Sequence, residues 1–125
     1  MSVLLDSDVL IDYLRGFPAA GNYLDGLLAV PTCSEVTRVE VLRGVRSHER
    51  RVTERFLAAI RWAPVDEAVS SLAGEFGRRY RRSHGALGLA DLVIAATAER
   101  FALPVATLNV RDFPMFPGLE PAYPR

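Results

Sequence analysis

Residues 89–102, Leu-Ala-Asp-Leu-Val-Ile-Ala-Ala-Thr-Ala-Glu-Arg-Phe-Ala, are apolar almost all the way round a helix for three turns. A surface helix needs only one apolar stripe, so a helix of this kind belongs at the centre of a packed layer. Residues 103–108 follow at once as an apolar run of strand length. The same alternation runs through the chain. Residues 2–6 read as a buried strand, 8–15 as a helix, and 19–29 as another with Leu24, Leu27 and Leu28 at helical spacing. After Pro31 come a short strand and a helix over 35–46. Val52, Phe56, Ala59 and Ile60 predict a further helix, followed by a strand at 61–65. Asp66 and Glu67 open a long helix with the stripe Val69, Leu72, Ala73, Phe76 and Tyr80, and an edge strand is expected at 119–123. Strands alternating with helices specify an α/β fold with a mostly parallel sheet, and such sheets bind ligands beyond the carboxyl ends of their strands.

Composition narrows the function. A chain of 125 residues, 50% hydrophobic, fits one domain over 1–125 with a full core. No apolar run approaches the ~20 residues of a membrane span, and the opening Met1-Ser2-Val3-Leu4-Leu5-Asp6 lacks the basic start of a secretory signal. Cys33 is the single cysteine, which permits no internal disulfide. A cytoplasmic location is expected. Fifteen cations balance fifteen acids, against retention of nucleic acid by bulk charge alone. Every cation is arginine; the missing lysine excludes a P-loop and Schiff-base chemistry.

The acids carry more information. Asp6 falls where the first strand ends, a position that also suits a helix N-cap, and Asp8 suits the cap better still. Asp12, one turn on, reads as solvated. Glu40 lies with Val36, Val39 and Arg43 at i, i+3, i+4, i+7 spacing, so it borders an apolar face and needs a partner, either a neighbouring arginine (Arg38 or Arg43) or a site. Asp91 sits near the start of the apolar helix, where the helix dipole tolerates an acid but burial penalises it. Asp112 follows the last parallel-type strand. All four of Asp6, Glu40, Asp91 and Asp112 can meet at one sheet edge. Clustered carboxylates repel and raise one another's pKa, so such a cluster calls for a cation. Oxygen-only donors suit Mg²⁺, or Mn²⁺ in its place, and such a site suits phosphodiester cleavage.

These positions resemble those of the PIN-domain ribonucleases, specifically the VapC toxins of bacterial toxin–antitoxin pairs. The opening pattern is matched by Val3-Leu4-Leu5-Asp6-Ser7-Asp8-Val9-Leu10-Ile11-Asp12, and the second, Ser-x-x-Thr-x-x-Glu, by Ser34, Thr37 and Glu40. Asp91 opening an alanine-rich helix matches the third, and Thr107-Leu108-Asn109-Val110-Arg111-Asp112-Phe113 the fourth. Leu108 departs from the Arg or Lys of many relatives. The resemblance implies a three-layer α/β/α sandwich around a central parallel sheet and Mg²⁺-dependent endonucleolytic cleavage of RNA. It further implies Asp6 and Asp91 as principal metal ligands, with Glu40 and Asp112 completing the site, a homodimer, and a small antitoxin whose tail covers the site.

Other readings stand beside this one. His48 and His84 read as surface residues, so no histidine is placed to drive 2′-hydroxyl attack. Thr107 and Asn109 are candidates for orienting ligands or phosphate. The run Arg78-Arg79-Tyr80-Arg81-Arg82 either guides RNA or simply suits a helix C-terminus. The helices at 8–15 and 19–29, with Phe17 and Tyr23, either expose a groove for a partner helix or cover the sheet. The alternatives in function are a catalytically inactive PIN-like binding module and, from Asp6-Ser7-Asp8-Val9, a haloacid-dehalogenase-type phosphatase.

Overall fold

The computed structural model describes residues 2–85 and 87–125, with the backbone alone at residue 84. In chain order the elements are β1 (Leu4–Leu5), α1 (Ser7–Leu14), α2 (Pro18–Asp25), β2 (Thr32–Ser34), α3 (Glu35–Gly44) and α4 (Arg50–Leu57). There follow β3 (Arg61–Ala63), α5 (Glu67–Arg79), α6 (Arg81–His84), α7 (Leu89–Phe101) and β4 (Val105–Ala106). Short 3₁₀ turns occupy Ser47–Glu49 and Val110–Asp112. The four strands are all parallel, in the order β3-β2-β1-β4.

β1 is interior to the sheet, and its two residues divide the core. Leu4 packs with Val69 and Phe76 of α5, Ile94 of α7 and Phe113. Leu5, one residue on, packs with Leu10 of α1, Ala20 of α2, Leu57 of α4 and Tyr123. Successive strand side chains face opposite sides, so this pair gives the three-layer α/β/α sandwich directly. As its sequence requires, α7 is central, with Val93 through Ala98 buried. It ends at Ala102, whose φ of 54° is left-handed, while the Leu103 N–H donates to the Ala98 carbonyl at 2.9 Å. That six-residue closure usually takes glycine. It turns the chain straight into β4, beside β1.

Several expectations from the sequence need correction. α2 stops at Asp25, so Leu27 and Leu28 leave the stripe and Leu28 is fully exposed. In α4 the buried pair is Thr53 and Leu57, one residue out from the expected Val52 and Phe56, and Val52 is 65% exposed. The inner residues of α3 are Thr37 and Val41, leaving Val39 exposed and Glu40 on the flank. No strand forms at 119–123. Pro117, Pro121 and Pro124 lack the N–H groups a ladder requires, and the segment makes one contact of that kind, Ala122 N–H to the Thr107 carbonyl at 2.9 Å. Asp12 is buried rather than solvated. His48 is exposed as expected, whereas the His84 side chain lies outside the described residues. No helix among the described residues is long and apolar enough to cross a membrane.

Candidate acidic active site

Asp6 leaves the carboxyl end of the interior strand β1 and caps α1. One carboxylate oxygen accepts the Ser7 N–H at 2.7 Å; the other accepts the Thr107 hydroxyl, also at 2.7 Å. Thr107 immediately follows β4, so the pairing of β1 with β4 brings residues 101 positions apart into one hydrogen bond. The Asn109 N–H in turn donates to the Thr107 oxygen at 3.0 Å.

Asp8 faces the same turn. It accepts the Val9 N–H at 2.7 Å, the Leu108 N–H at 2.9 Å and the Asn109 side-chain amide at 3.2 Å. The Ser7 hydroxyl points the other way, across to α3, where it lies 3.1 Å from the Thr37 hydroxyl and donates a short hydrogen bond to Glu40. Ser34, at the end of β2, caps α3 and aims that helix along the same sheet edge. Arg43, the partner weighed for Glu40, reaches only 4.0 Å and is largely solvated, so Ser7 is the nearer contact. Arg38 instead pairs with Glu35 at 2.6 Å.

Asp91 occupies the first turn of α7. A side chain at Gly88 would approach its carboxylate to 3.2 Å, so glycine there keeps that oxygen open. Asp112 closes the 3₁₀ turn beyond β4. Electrostatics ties these elements together. Burial pushes Asp6 up from an ordinary 3.8 to about 7, with repulsion from Asp8 and Asp91 adding to it and the Thr107 hydrogen bond opposing it. Burial also raises Asp91, to about 6, with further repulsion from Asp112, Glu40 and Asp8. Asp8 is raised by burial too, against its backbone donors. Burial is the larger cause of each shift; the smaller repulsive part places Asp8 and Asp91 near Asp6, and Asp112, Glu40 and Asp8 near Asp91.

The sequence profile of the PIN domain family matches residues 3–116. The chain is 48% identical to "Ribonuclease VapC10" of Mycobacterium tuberculosis, over 97% of its own length and 92% of that protein. It is 42% identical to "Ribonuclease VapC19" of the same organism, over 96% and 98%. Among solved structures it resembles the "Toxin-antitoxin complex from Klebsiella pneumoniae", with a TM-score of 0.85, 27% identity and 98% of each chain covered. The chain is a PIN-domain protein of the VapC family. That membership removes the haloacid-dehalogenase alternative.

The donors gathered here are all oxygen, which suits a hard divalent cation such as Mg²⁺, an ion that usually takes only one or two carboxylates while keeping several waters. Among the described residues, no group of three or more histidine, cysteine, aspartate or glutamate side chains stands where it could hold a metal ion, so the fit rests on donor chemistry. The oxygen-only chemistry and the raised proton affinities of Asp6 and Asp91 agree with it.

Reading the sequence had assigned Asp8 to a helix cap and had singled out neither Ser7 nor Thr37 on its own. The structure makes Asp6 the cap and turns Asp8 onto the Thr107–Asn109 turn. A signal for Asp8 was present in the spacing: Asp6 and Asp8 flank the first helical residue, so only one can cap. Nothing local to Ser7 or Thr37 announces their hydrogen bond, which depends on α1 and α3 lying side by side.

Proposed function

We propose that this chain is a divalent-cation-dependent endoribonuclease, the toxin of a type II toxin–antitoxin pair, working as one PIN-like domain over residues 1–125. What supports the reading is the geometry at the carboxyl end of β1, where Thr107 holds Asp6 and Ser7 reaches from Asp6 to Glu40, with Asp91 at the start of α7 and Asp112 in the turn after β4 beside them. Asp6 and Asp91 are assigned as the principal ligands of Mg²⁺ (Mn²⁺ substituting), with Glu40 and Asp112 orienting waters or a second ion. The cation, when bound, activates water for attack and offsets charge on the phosphate oxygens.

The chain's own residues prepare that site. The Ser7 N–H and the Thr107 hydroxyl each take one oxygen of Asp6 and fix its carboxylate plane. Ser7 fixes Glu40, and Asn109 with the Leu108 N–H fixes Asp8. The nucleophile assigned is water, in keeping with hard-cation chemistry at oxygen donors; His48 lies exposed on the 3₁₀ turn Ser47–Glu49, along the groove that starts at Glu40. In-line attack by water leaves a 5′-phosphate and a 3′-hydroxyl.

The antitoxin reading has a matching surface. A groove of about 520 Å³ runs from Glu40 between α1, α3 and α4, with Ile11, Leu14, Val41 and Val52 in its walls. An amphipathic segment of a small partner protein laid there would end at the acidic site. A homodimer and a cytoplasmic location belong to the same reading.

The test is incubation of the purified chain with structured RNAs in Mg²⁺ or EDTA, beside Asp6→Ala and Asp91→Ala variants. Cleavage that needs the cation and is lost in both variants supports the reading. RNA bound but uncut under all conditions moves the chain to the inactive-module alternative, and 2′,3′-cyclic phosphate ends overturn the assignment of water as nucleophile.

A further inference from the structure

The closing segment of the chain lies beyond the stretch matched to the PIN domain profile, yet it touches both walls of the acidic site. Its first contact is backbone: the Ala122 N–H donates to the carbonyl of Thr107, the residue whose hydroxyl holds Asp6. Its second is to a buried charge on α1. Asp12 is only 5% exposed, and both of its oxygens are partnered by this segment, one by the Tyr123 hydroxyl at 2.7 Å and the other by Arg125 at 3.2 Å.

Asp12 lies one helical turn after Asp8, so the two carboxylates share a face of α1 and repel along it. A buried carboxylate without donors is costly. Tyr123 on Asp12 and the Ala122 N–H on the Thr107 carbonyl thereby tie this face of α1 to the turn whose Leu108 and Asn109 hold Asp8. Tyr123 is itself locked, with its ring 6.2 Å from that of Phe17 and 6.0 Å from that of Tyr23. Arg125 lies over the Phe17 ring, at 5.1 Å from its centre.

We propose that Tyr123 and Arg125 form a strap that neutralises Asp12 and thereby holds α1 against the Thr107–Asn109 turn, setting the affinity of the acidic site for its divalent cation. They are positioning residues: they reach the site only through Asp12 and Thr107. The proposal rests on the site's binding a divalent cation and is independent of which RNA is cut.

The experiment measures binding of Mn²⁺ alone to the full chain by electron paramagnetic resonance. The chains compared are unmodified, Tyr123→Phe, Tyr123→Phe with Arg125→Ala, and that pair combined with Asp12→Asn. Urea unfolding in EDTA reports whether each is folded. Because outer-shell partners of metal ligands cost about 10–100-fold in affinity, the double variant is expected to bind Mn²⁺ about tenfold more weakly. Adding Asp12→Asn removes the charge that the strap neutralises and is expected to restore most of that loss. A role confined to packing of the closing segment would gain nothing from Asp12→Asn. If the double variant does not fold, Tyr123→Phe alone decides, since it keeps the ring contacts and loses only the hydroxyl; weaker binding is then expected. Unchanged Mn²⁺ affinity in a folded variant, or no recovery with Asp12→Asn, overturns the strap. Failure of the unmodified chain to bind Mn²⁺ overturns the cation reading itself, whereas Mn²⁺ binding without RNA cleavage overturns only the ribonuclease reading.

Discussion

Raising the pH of the metal-free protein from 5 to 8 is expected to destabilise it, and Asp6 supplies most of the reason. Its carboxyl is buried just past the end of β1 and titrates at about 7 in the folded chain, against 3.8 ordinarily. Between those values the folded state holds a proton that the unfolded state has lost. Stability changes with pH according to protons bound unfolded minus folded, so the slope here is negative. The contribution is fully present below about pH 4, falls through the interval and levels off above pH 7. A proton affinity raised roughly a thousandfold is worth about 4 kcal/mol at 1.36 kcal/mol per tenfold. Asp91, raised to about 6, acts in the same direction. The two contributions do not add in full, because Asp6 is raised partly by Asp91, and protonating Asp91 eases ionisation of Asp6.

Urea unfolding in EDTA at pH 5, 6, 7 and 8 measures this directly. A loss of about 2–4 kcal/mol across the series is expected. Asp6→Asn is expected to flatten the curve, since an amide does not titrate. Saturating Mg²⁺ is expected to flatten it as well, by stabilising the ionised cluster of the folded state alone. Stability that rises with pH through this window, or an Asp6→Asn curve as steep as that of the unmodified chain, would refute the reasoning about burial and repulsion.

Other consequences are simpler to check. Phe113→Ala empties a site only 1% exposed beneath the Asp112 turn; chemical unfolding is expected to show a loss of about 3–5 kcal/mol. In α4, Leu57→Ala is expected to cost about 2–5 kcal/mol, while Val52→Thr stays within about 0.5 kcal/mol; equal effects would mean that the sequence-based stripe was right after all. Ala102→Gly relieves the left-handed cap of α7 and is expected to stabilise by about 0.5–1 kcal/mol, read as a shift in the urea midpoint. Arg81→Ala with Arg82→Ala tests the basic run: binding of RNA in EDTA, titrated with salt, is expected to lose about 0.7 in log–log slope for each phosphate contact removed. An unchanged slope removes Arg81 and Arg82, which open α6 rather than close α5, from RNA binding.

The sequence determined the architecture, and it singled out the acids proposed for the site, because both are written in local pattern. A helix apolar all round has to be central, and α7 is. An acid that follows an apolar run falls at or beyond a strand end whatever the neighbouring strands do, and Asp6 ends β1 while Asp112 closes the turn beyond β4. Glu40 was singled out for a partly mistaken reason, since Val39 is exposed and the inner face of α3 runs through Thr37 and Val41. The register of α4 and the end of α2 were misread because an apolar stripe records hydrophobicity but not which side of a helix meets the sheet. Tertiary structure alone decided the rest. Thr107 reaches Asp6 across 101 residues because β4 pairs with β1, and Ser7 reaches Glu40 across 33 because α1 lies beside α3. Asp12, solvated by every local criterion, is buried because a proline-interrupted segment more than 100 residues later returns to cover it. Hydrogen bonds between distant segments depend on the packing of whole layers, and no spacing within either segment encodes them.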